Sequence, residues 1–282
     1  MNNTNRFDVV ASCVLFKTPL AEVERLCTQL AQSNLRLHLV LVDNSPVPLK
    51  LAPFDPQRVT ILRPGKNVGY GRANNIAMKA TKGWSRYFLI LNSDLTFHGT
   101  GLDRMVAYMD AQPDVALTAP RVCYPDGRTQ TLCRLLPTPL DLFGRQFRPS
   151  SQATERRDRK YEFRDWSYDH PAQFPFLSGC FLLARRKCIE EVEGFDERFF
   201  LYGEDLDLSR RLHGIGRTMF VPAFTIAHDY RSQSSKSLRL TILKLQNLAR
   251  YFTKWGWLQD AERDAVNAEV VAGLGRHKDE PY

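Results

Sequence analysis

The sequence predicts an α/β protein, with a mostly parallel central sheet flanked by helices and a C-terminal helical extension. Three observations lead there. Near-continuous apolar runs alternate with segments of helical period over the first 120 residues, the pattern of parallel strands joined by crossovers. Three of those strands lead into short polar stretches: Asp43-Asn44-Ser45, Asn67-Val68-Gly69-Tyr70-Gly71 and Asn92-Ser93-Asp94. Beyond residue 235 the chain becomes basic, with apolar residues at helical spacing.

Each element follows from its residues. Val9 to Phe16 is an apolar run that reads as a buried strand. Thr18-Pro19 then signals a helix start, with Thr18 as N-cap and Pro19 at the first helical position. Leu20, Val23, Leu26 and Leu30 carry that helix. Leu37 to Val42 is a second strand. Val59 to Leu62 is a third and runs into the loop from Arg63 to Gly71. A helix begins near Ala73, and Phe88-Leu89-Ile90-Leu91 forms the next strand. In a parallel sheet the three polar endings share one edge, where open α/β sheets bind ligands. From 134 to 175 the chain mixes aromatics with charge. It reads as a mobile loop over a site rather than a disordered linker, because disordered segments have few aromatics. Order returns at Phe176 to Leu183.

The bulk properties narrow the class. The 282 residues suffice for one large domain, or for one with a small appendage. Apolar content of 43% and charged content of 25% are those of a globular protein. A net charge of +8 suits anionic partners. The six cysteines form no CxxC pair, which argues against a zinc site. The start of the chain carries no apolar signal segment, and no run approaches the about 18 residues of a membrane span. These features set the expectation of a reduced, cytoplasmic setting.

The polar endings carry the chemistry. Asp94 at a strand's carboxyl end can hold a divalent cation, because Mg²⁺ takes one or two protein carboxylates and completes its shell with water and phosphate oxygens. The plain alternative is a turn, which Asn, Ser and Asp all favour. Asn67 to Asn75 is a Gly-rich loop entering a helix, able to cradle phosphate or to be an ordinary turn. Arg72 adds a fork donor for phosphate. Glu204-Asp205-Leu206-Asp207 opens a helix after the aromatic stretch Phe199 to Gly203. An apolar wall beside a carboxylate suits a general base, and adjacent side chains on a helix diverge, so one of the two carboxyls faces the pocket. His228 follows an apolar stretch and reads equally as a core group or as a ligand partnering Asp94.

These pieces, in this order from about Val9 to Ser235, resemble family 2 glycosyltransferases of the GT-A fold, rhamnosyltransferase-like enzymes in particular. The parts are Val42 to Ser45, Asn67 to Gly71 with Asn74-Asn75, Leu91 to Asp94, Ser178 to Leu183, Gly194 to Glu197, Glu204 to Leu208, and His228. The resemblance implies inverting transfer from a nucleotide-diphosphate sugar to a glycan or lipid-linked acceptor in cell-surface polysaccharide synthesis. It implies that Asp43 contacts the base, and that Asn67, Gly69, Gly71, Arg72 and Asn75 hold ribose and diphosphate. Asn92, Ser93 and Asp94 match the DXD position, with Asn92 in place of the first aspartate. Asp205 matches the catalytic base. Asp94 and His228 match the metal ligands, for Mg²⁺ or Mn²⁺. Rhamnose from dTDP-rhamnose is the leading donor. A UDP-linked hexose and a nucleotidyltransferase reaction are the alternatives. The first strand ends Val14 to Lys17, where the family commonly has Thr-Tyr-Asn. A nucleotidyltransferase would carry a Gly-rich basic loop there, and Lys17-Thr18-Pro19 does not. Nothing but charge favours nucleic acid.

The implied organisation is a GT-A domain over 1–235, with a nucleotide-sugar half (about 1–120) and an acceptor and base half (121–235), then a helical extension over 236–282. Arg231, Lys236, Arg239, Lys244, Arg250 and Lys254 are unaccompanied by acidic residues between 231 and 254. With the stripe Leu238, Ile242, Leu245, Leu248, Phe252 and Trp255, they suit docking at the inner face of the cell membrane. The same stripe equally suits packing on the catalytic domain or on a second subunit in a homo-oligomer.

Overall fold

The computed structural model describes residues 6–51, 54–147, 152–228 and 238–276. Strand β1 (Phe7–Leu15), helix α1 (Leu20–Leu30), β2 (Leu37–Asp43), β3 (Val59–Leu62), α2 (Tyr70–Ala80) and β4 (Ser85–Leu91) build the first half. Their strands lie parallel in the order β3-β2-β1-β4. Alternate residues of β1 point to opposite sides: Val10 joins a core with Ala73, Ala77 and Met78 of α2, and Val9 and Ala11 join one with Val23, Leu26 and Leu30 of α1. Burial on both faces explains the near-continuous apolar runs. Helix α1 starts one residue later than expected. Pro19 is its N-cap, and the Thr18 hydroxyl instead accepts the Phe16 amide at 3.1 Å.

The sheet then continues as a mixed one. Next come β5 (Leu95–Thr96), α3 (Thr100–Ala111), β6 (Val115–Cys123), β10 (Phe181–Arg185), α6 (Arg186–Glu191), α7 (Glu204–His213) and β11 (Arg217–His228). Strand β10 runs antiparallel between β4 and β6, and β6 pairs parallel with β11. Helices α1 and α3 cover one face, and α2, α6 and α7 the other. Pro222 sits where the β6–β11 register slips, between Phe220 and Thr225; proline has no amide to give the ladder. The proposed division at 120/121 falls inside β6, so the two halves share one sheet.

The segment from 134 to 175 corrects the loop expectation. It contains β7 (Cys133–Arg134), α4 (Pro139–Phe147), α5 (Gln152–Tyr161) and β8 (Ala172–Gln173), and β7 pairs with β9 (Phe176–Leu177). Tyr161, Tyr168 and Phe174 are buried, and the Trp166 ring lies 4.7 Å from Tyr168 and 4.9 Å from Phe174. The aromatics anchor the segment, and its charges pair within it, as Arg164 does with Glu155 and Glu162.

Helices α8 (Leu238–Trp255) and α9 (Ala261–Arg276) follow. Arg231, Lys236 and the 235/236 boundary lie outside the described residues. Tyr251 and Phe252 of α8 share a core with Leu136, Phe176, Phe199 and Leu206. Leu238 and Ile242, in the first turns of α8, stay 78% and 47% exposed. The stripe therefore divides: its second half packs on the catalytic domain, and its first turns remain open. Arg210 of α7 makes a bidentate pair with Asp260 at 2.7 Å and lies 4.1 Å over the Trp255 ring. Asp207 receives Lys254 at 2.6 Å, the Trp255 indole at 2.9 Å and Arg211 at 2.8 Å. The C-terminal helices thus clamp α7, the helix that begins with Glu204 and Asp205. Among the described residues no helix is long and apolar enough to cross a membrane.

Candidate active site

Backbone pairing assembles the site. The loops after β1, β2 and β3 are stitched along one edge. The Lys17 amide donates to Ser45 Oγ at 2.9 Å, and Asn44 Nδ2 donates to the Gly69 carbonyl at 3.1 Å. The third polar ending leaves β4 as Asn92-Ser93-Asp94 and enters β5. Strand β5 pairs antiparallel with the end of β11, setting His228 opposite Leu95. That register brings His228 Nε2 to 3.5 Å from Asp94 Oδ2.

Tyr70 ties this corner to the second half. Its hydroxyl is 3.1 Å from Asn92 Oδ1 and 3.2 Å from the Gly179 carbonyl. Burial, then the nearby thiols and carboxyls, push that hydroxyl well above its usual pKa, so it stays a donor. The Gly179 amide donates to Asp205 Oδ2 at 3.0 Å, and the Leu206 amide to Oδ1 at 2.9 Å. A Cβ on residue 179 would lie 3.0 Å from Asp205 Cβ, so glycine permits this approach. A relay of contacts therefore links Asn92, Tyr70, Gly179 and Asp205, with Asp94 and His228 at one end. Burial raises the Asp205 pKa, opposed by its two amide donors and by Arg134. Such a carboxylate accepts a proton more readily than a solvated one.

Other expected site residues have different partners. Asn75 is buried, with its amide group on the Phe195 backbone in both directions at 2.8 and 2.9 Å. Arg72 pairs with Glu197 at 3.2 Å instead of standing free for a diphosphate. Gly69 has φ +90° and receives the 199–200 backbone: a Cβ there would lie 2.4 Å from the Phe200 carbonyl oxygen. Gly71 makes room for Phe195 in the same way, at 2.9 Å. The two glycines thus admit a close approach of the 195–200 segment to this loop. Asn67 Oδ1 accepts the Gly69 amide at 3.0 Å. Asp43 has no exposed side-chain surface, and its oxygens take the Ser45 and Leu49 amides at 3.0 and 2.8 Å. Ser93 donates to Glu22 at 3.0 Å.

Four residues of this neighbourhood escape the sequence reading as site groups: Tyr70, Gly179, Arg134 and Phe16. Phe16 follows the Leu15–Asp43 pairing and is 48% exposed, a flat apolar face at the sheet edge where the loops after β1 and β2 meet. Its place at the end of the first strand is the signal that marks it.

The donor set fits a divalent cation in part. Asp94 Oδ1 is buried and lacks a hydrogen-bond partner among the described residues. Among those residues no group of three His, Cys, Asp or Glu side chains gathers for a metal. Two protein ligands suit an ion that completes its shell with substrate oxygens and water. Burial disfavours the His228 imidazolium, but hydrogen bonds with Asp94 and Cys180 outweigh it and raise its pKa to about 10.

A mixed central sheet flanked by helices, with one carboxylate following β4 and another in the first turn of α7, is the framework of a GT-A glycosyltransferase. The chain belongs to glycosyl transferase family 2, whose model matches residues 21–193. It is 27% identical over 242 residues to the N-acetylglucosaminyl-diphospho-decaprenol L-rhamnosyltransferase of Mycobacterium tuberculosis (strain CDC 1551 / Oshkosh), covering 78% of this chain and 76% of that one. It is 35% identical over 98 residues to the rhamnosyltransferase WbbL of Escherichia coli (strain K12), 33% of this chain and 36% of that one. Two solved structures share the fold. GalNAc-T7 with UDP, GalNAc and Mn²⁺ superposes with a TM-score of 0.64 at 15% identity, covering 88% of this chain and 49% of its own. A mannosyltransferase from Pyrobaculum calidifontis with GDP-Man and Mn²⁺ gives 0.54 at 16% identity, covering 90% and 65%. The chain thus spans about half the length of the first of these structures and just under two thirds of the second.

Proposed function

We propose that the protein is an inverting glycosyltransferase that moves rhamnose from dTDP-rhamnose to a glycan on a lipid diphosphate. The observation that carries this reading is the relay from Asn92 through Tyr70 and Gly179 to Asp205, which ties a buried carboxylate to the Asp94–His228 corner. The likeness to the two rhamnosyltransferases supports the choice of sugar. A UDP-linked hexose is the competing donor.

Asp205 takes the proton of the acceptor hydroxyl. The hydroxyl oxygen bonds to the anomeric carbon as the bond from that carbon to the diphosphate breaks. The nucleoside diphosphate leaves, and the anomeric centre inverts. Tyr70 and the Gly179 amide hold Asp205 and the Asn92 loop in fixed relation. Asp94 and His228 would hold Mg²⁺ or Mn²⁺, which neutralises charge on the departing diphosphate when bound. Phe16 offers a stacking face for the base beside the loop that Asp43 orders. Asn67, Gly69, Gly71, Arg72 and Asn75 act together by shaping the wall of that site; Ser93 lines its floor.

The domain over 1–235 carries donor and acceptor sites, and the helices beyond it brace α7. The open first turns of α8 carry Arg239 and Lys244 beside Leu238 and Ile242. They suit peripheral contact with the inner face of the cell membrane, where a lipid-linked acceptor resides. A second subunit is the competing occupant.

A screen of sugar nucleotides by thermal shift and donor hydrolysis, with Mn²⁺ present, tests the reading. dTDP-rhamnose should stabilise the protein and turn over most. Preference for a UDP-hexose would replace the donor, and no response to any sugar nucleotide would overturn the proposal.

A further inference from the structure

The reaction uses one carboxyl of the adjacent Glu204 and Asp205 and leaves the other without a task. The two differ in their surroundings. Asp205 accepts two backbone amides. Glu204 is 5% exposed, and its Oε2 has no hydrogen-bond partner; no cation pairs with it among the described residues. The Glu204 backbone amide gives its carboxyl one hydrogen bond, but a buried carboxylate with an oxygen left without a donor still takes up a proton, because the ionised form is stripped of solvation. Two amide donors favour the ionised form. Two carboxyls in one buried helical turn do not ionise together cheaply.

We infer that Glu204 is the protonated partner of the base: the pair carries one negative charge, and that charge rests on Asp205. Glu204 is then a positioning residue, setting the charge state of the group that takes the acceptor proton. The groups around the pair agree. Arg134 on β7 favours the ionised Asp205. Tyr70 on α2 stands close enough to feel both carboxyls and remains a neutral hydroxyl. Burial first, then the Asp205 charge, push Glu204 up to about 8. Above that pH a second negative charge would appear beside the base and near a departing diphosphate, so the pair sets an alkaline limit on the reaction.

The inference rests on Asp205 as the base, but its test needs no sugar transfer. The probe is the infrared carbonyl band of a protonated carboxyl, followed from about pH 6 to about pH 10. The wild-type protein should show a band that disappears near pH 8. Glu204→Gln should lack it. Asp205→Asn should keep it, with the disappearance moved to lower pH, because the neighbouring charge that opposes ionisation of Glu204 is gone. Removing that charge lowers the cost of ionising Glu204, so the expected move is downward from the wild-type midpoint, and an upward or absent move contradicts coupling. Melting adds an independent arm. A carboxyl raised in the folded state gives stability below its unfolded pKa of 4.5 that is lost as pH rises through about 8. The melting temperature of Glu204→Gln should therefore gain on the wild type across that window. A titrating band absent from the wild type, or one lost in Asp205→Asn and kept in Glu204→Gln, overturns the inference. If Glu204→Gln does not fold, the wild-type titration and its displacement in Asp205→Asn decide. Failure of Asp205 as base would show instead as normal turnover in Asp205→Asn.

Discussion

Asp260→Asn should loosen the helix that carries the base. The substitution keeps the shape of residue 260 and removes its charge. Arg210 is 2% exposed and Asp260 5% exposed, and their two hydrogen bonds are 2.7 Å long. Removing one partner of a buried pair costs about 3–5 kcal/mol, because the other charge is left uncompensated. Here Arg210 keeps Glu262 at 2.9 Å and the Tyr251 hydroxyl at 3.3 Å, which argues for the lower end, about 3 kcal/mol. At about 2–4 °C per kcal/mol for a domain of this size, the melting temperature should fall by about 6–12 °C. The effect has a pH signature. Burial raises the Asp260 pKa, but the Arg210 bonds outweigh it and hold it below 3.8. The folded value is depressed, so the contribution is present above 3.8 and is lost as pH falls through the folded value. The difference between wild type and variant should therefore shrink in acid. Melting curves at neutral and acidic pH check this. A fall of less than about 2 °C at neutral pH, or a difference unchanged in acid, would refute the argument that this pair braces α7.

Gly179→Ala puts a Cβ 3.0 Å from Asp205 Cβ and 3.4 Å from its Oδ2. The carboxylate must shift, so turnover should fall by about 10²-fold with nucleotide affinity kept, as read by steady-state kinetics and titration. Chelation should abolish transfer, with Mn²⁺ or Mg²⁺ restoring it in the wild type and not in Asp94→Ala; full activity in chelator would remove the cation from the account. Leu238→Ser combined with Ile242→Ser should reduce sedimentation with anionic vesicles while melting stays unchanged, because both side chains are exposed. Unchanged vesicle binding, or a change in oligomeric state, would assign that face to another partner.

The sheet was legible because its strands are buried on both faces, and that burial writes apolar runs from Val9 to Leu15, broken only by Ser12, and from Phe88 to Leu91. The shared edge followed from parallel order alone. The role of Gly69 and Gly71 was not legible. A glycine opened for a ligand and one opened for Phe195 and Phe200 look alike in sequence, and the contacts lie more than a hundred residues away. Asn75 and Arg72 were hidden for the same reason, since both answer to the 195–197 turn. The stretch from 134 to 175 looked loose because its charges pair internally and its few aromatics follow no single period. Asp207 read as one more first-turn acid, and only the packing of α8 makes it an anchor for Lys254 and Trp255. The approach of His228 to Asp94 depends on the two-residue strand β5, too short to announce itself.

The central claim is that Asp205 takes the acceptor proton. The direct measurement is the turnover of Asp205→Asn with the donor found by the sugar-nucleotide screen, alongside nucleotide binding by calorimetry. The account predicts a loss of about 10²–10⁴-fold in turnover with binding retained; near-normal turnover would contradict it and move the role to Glu204.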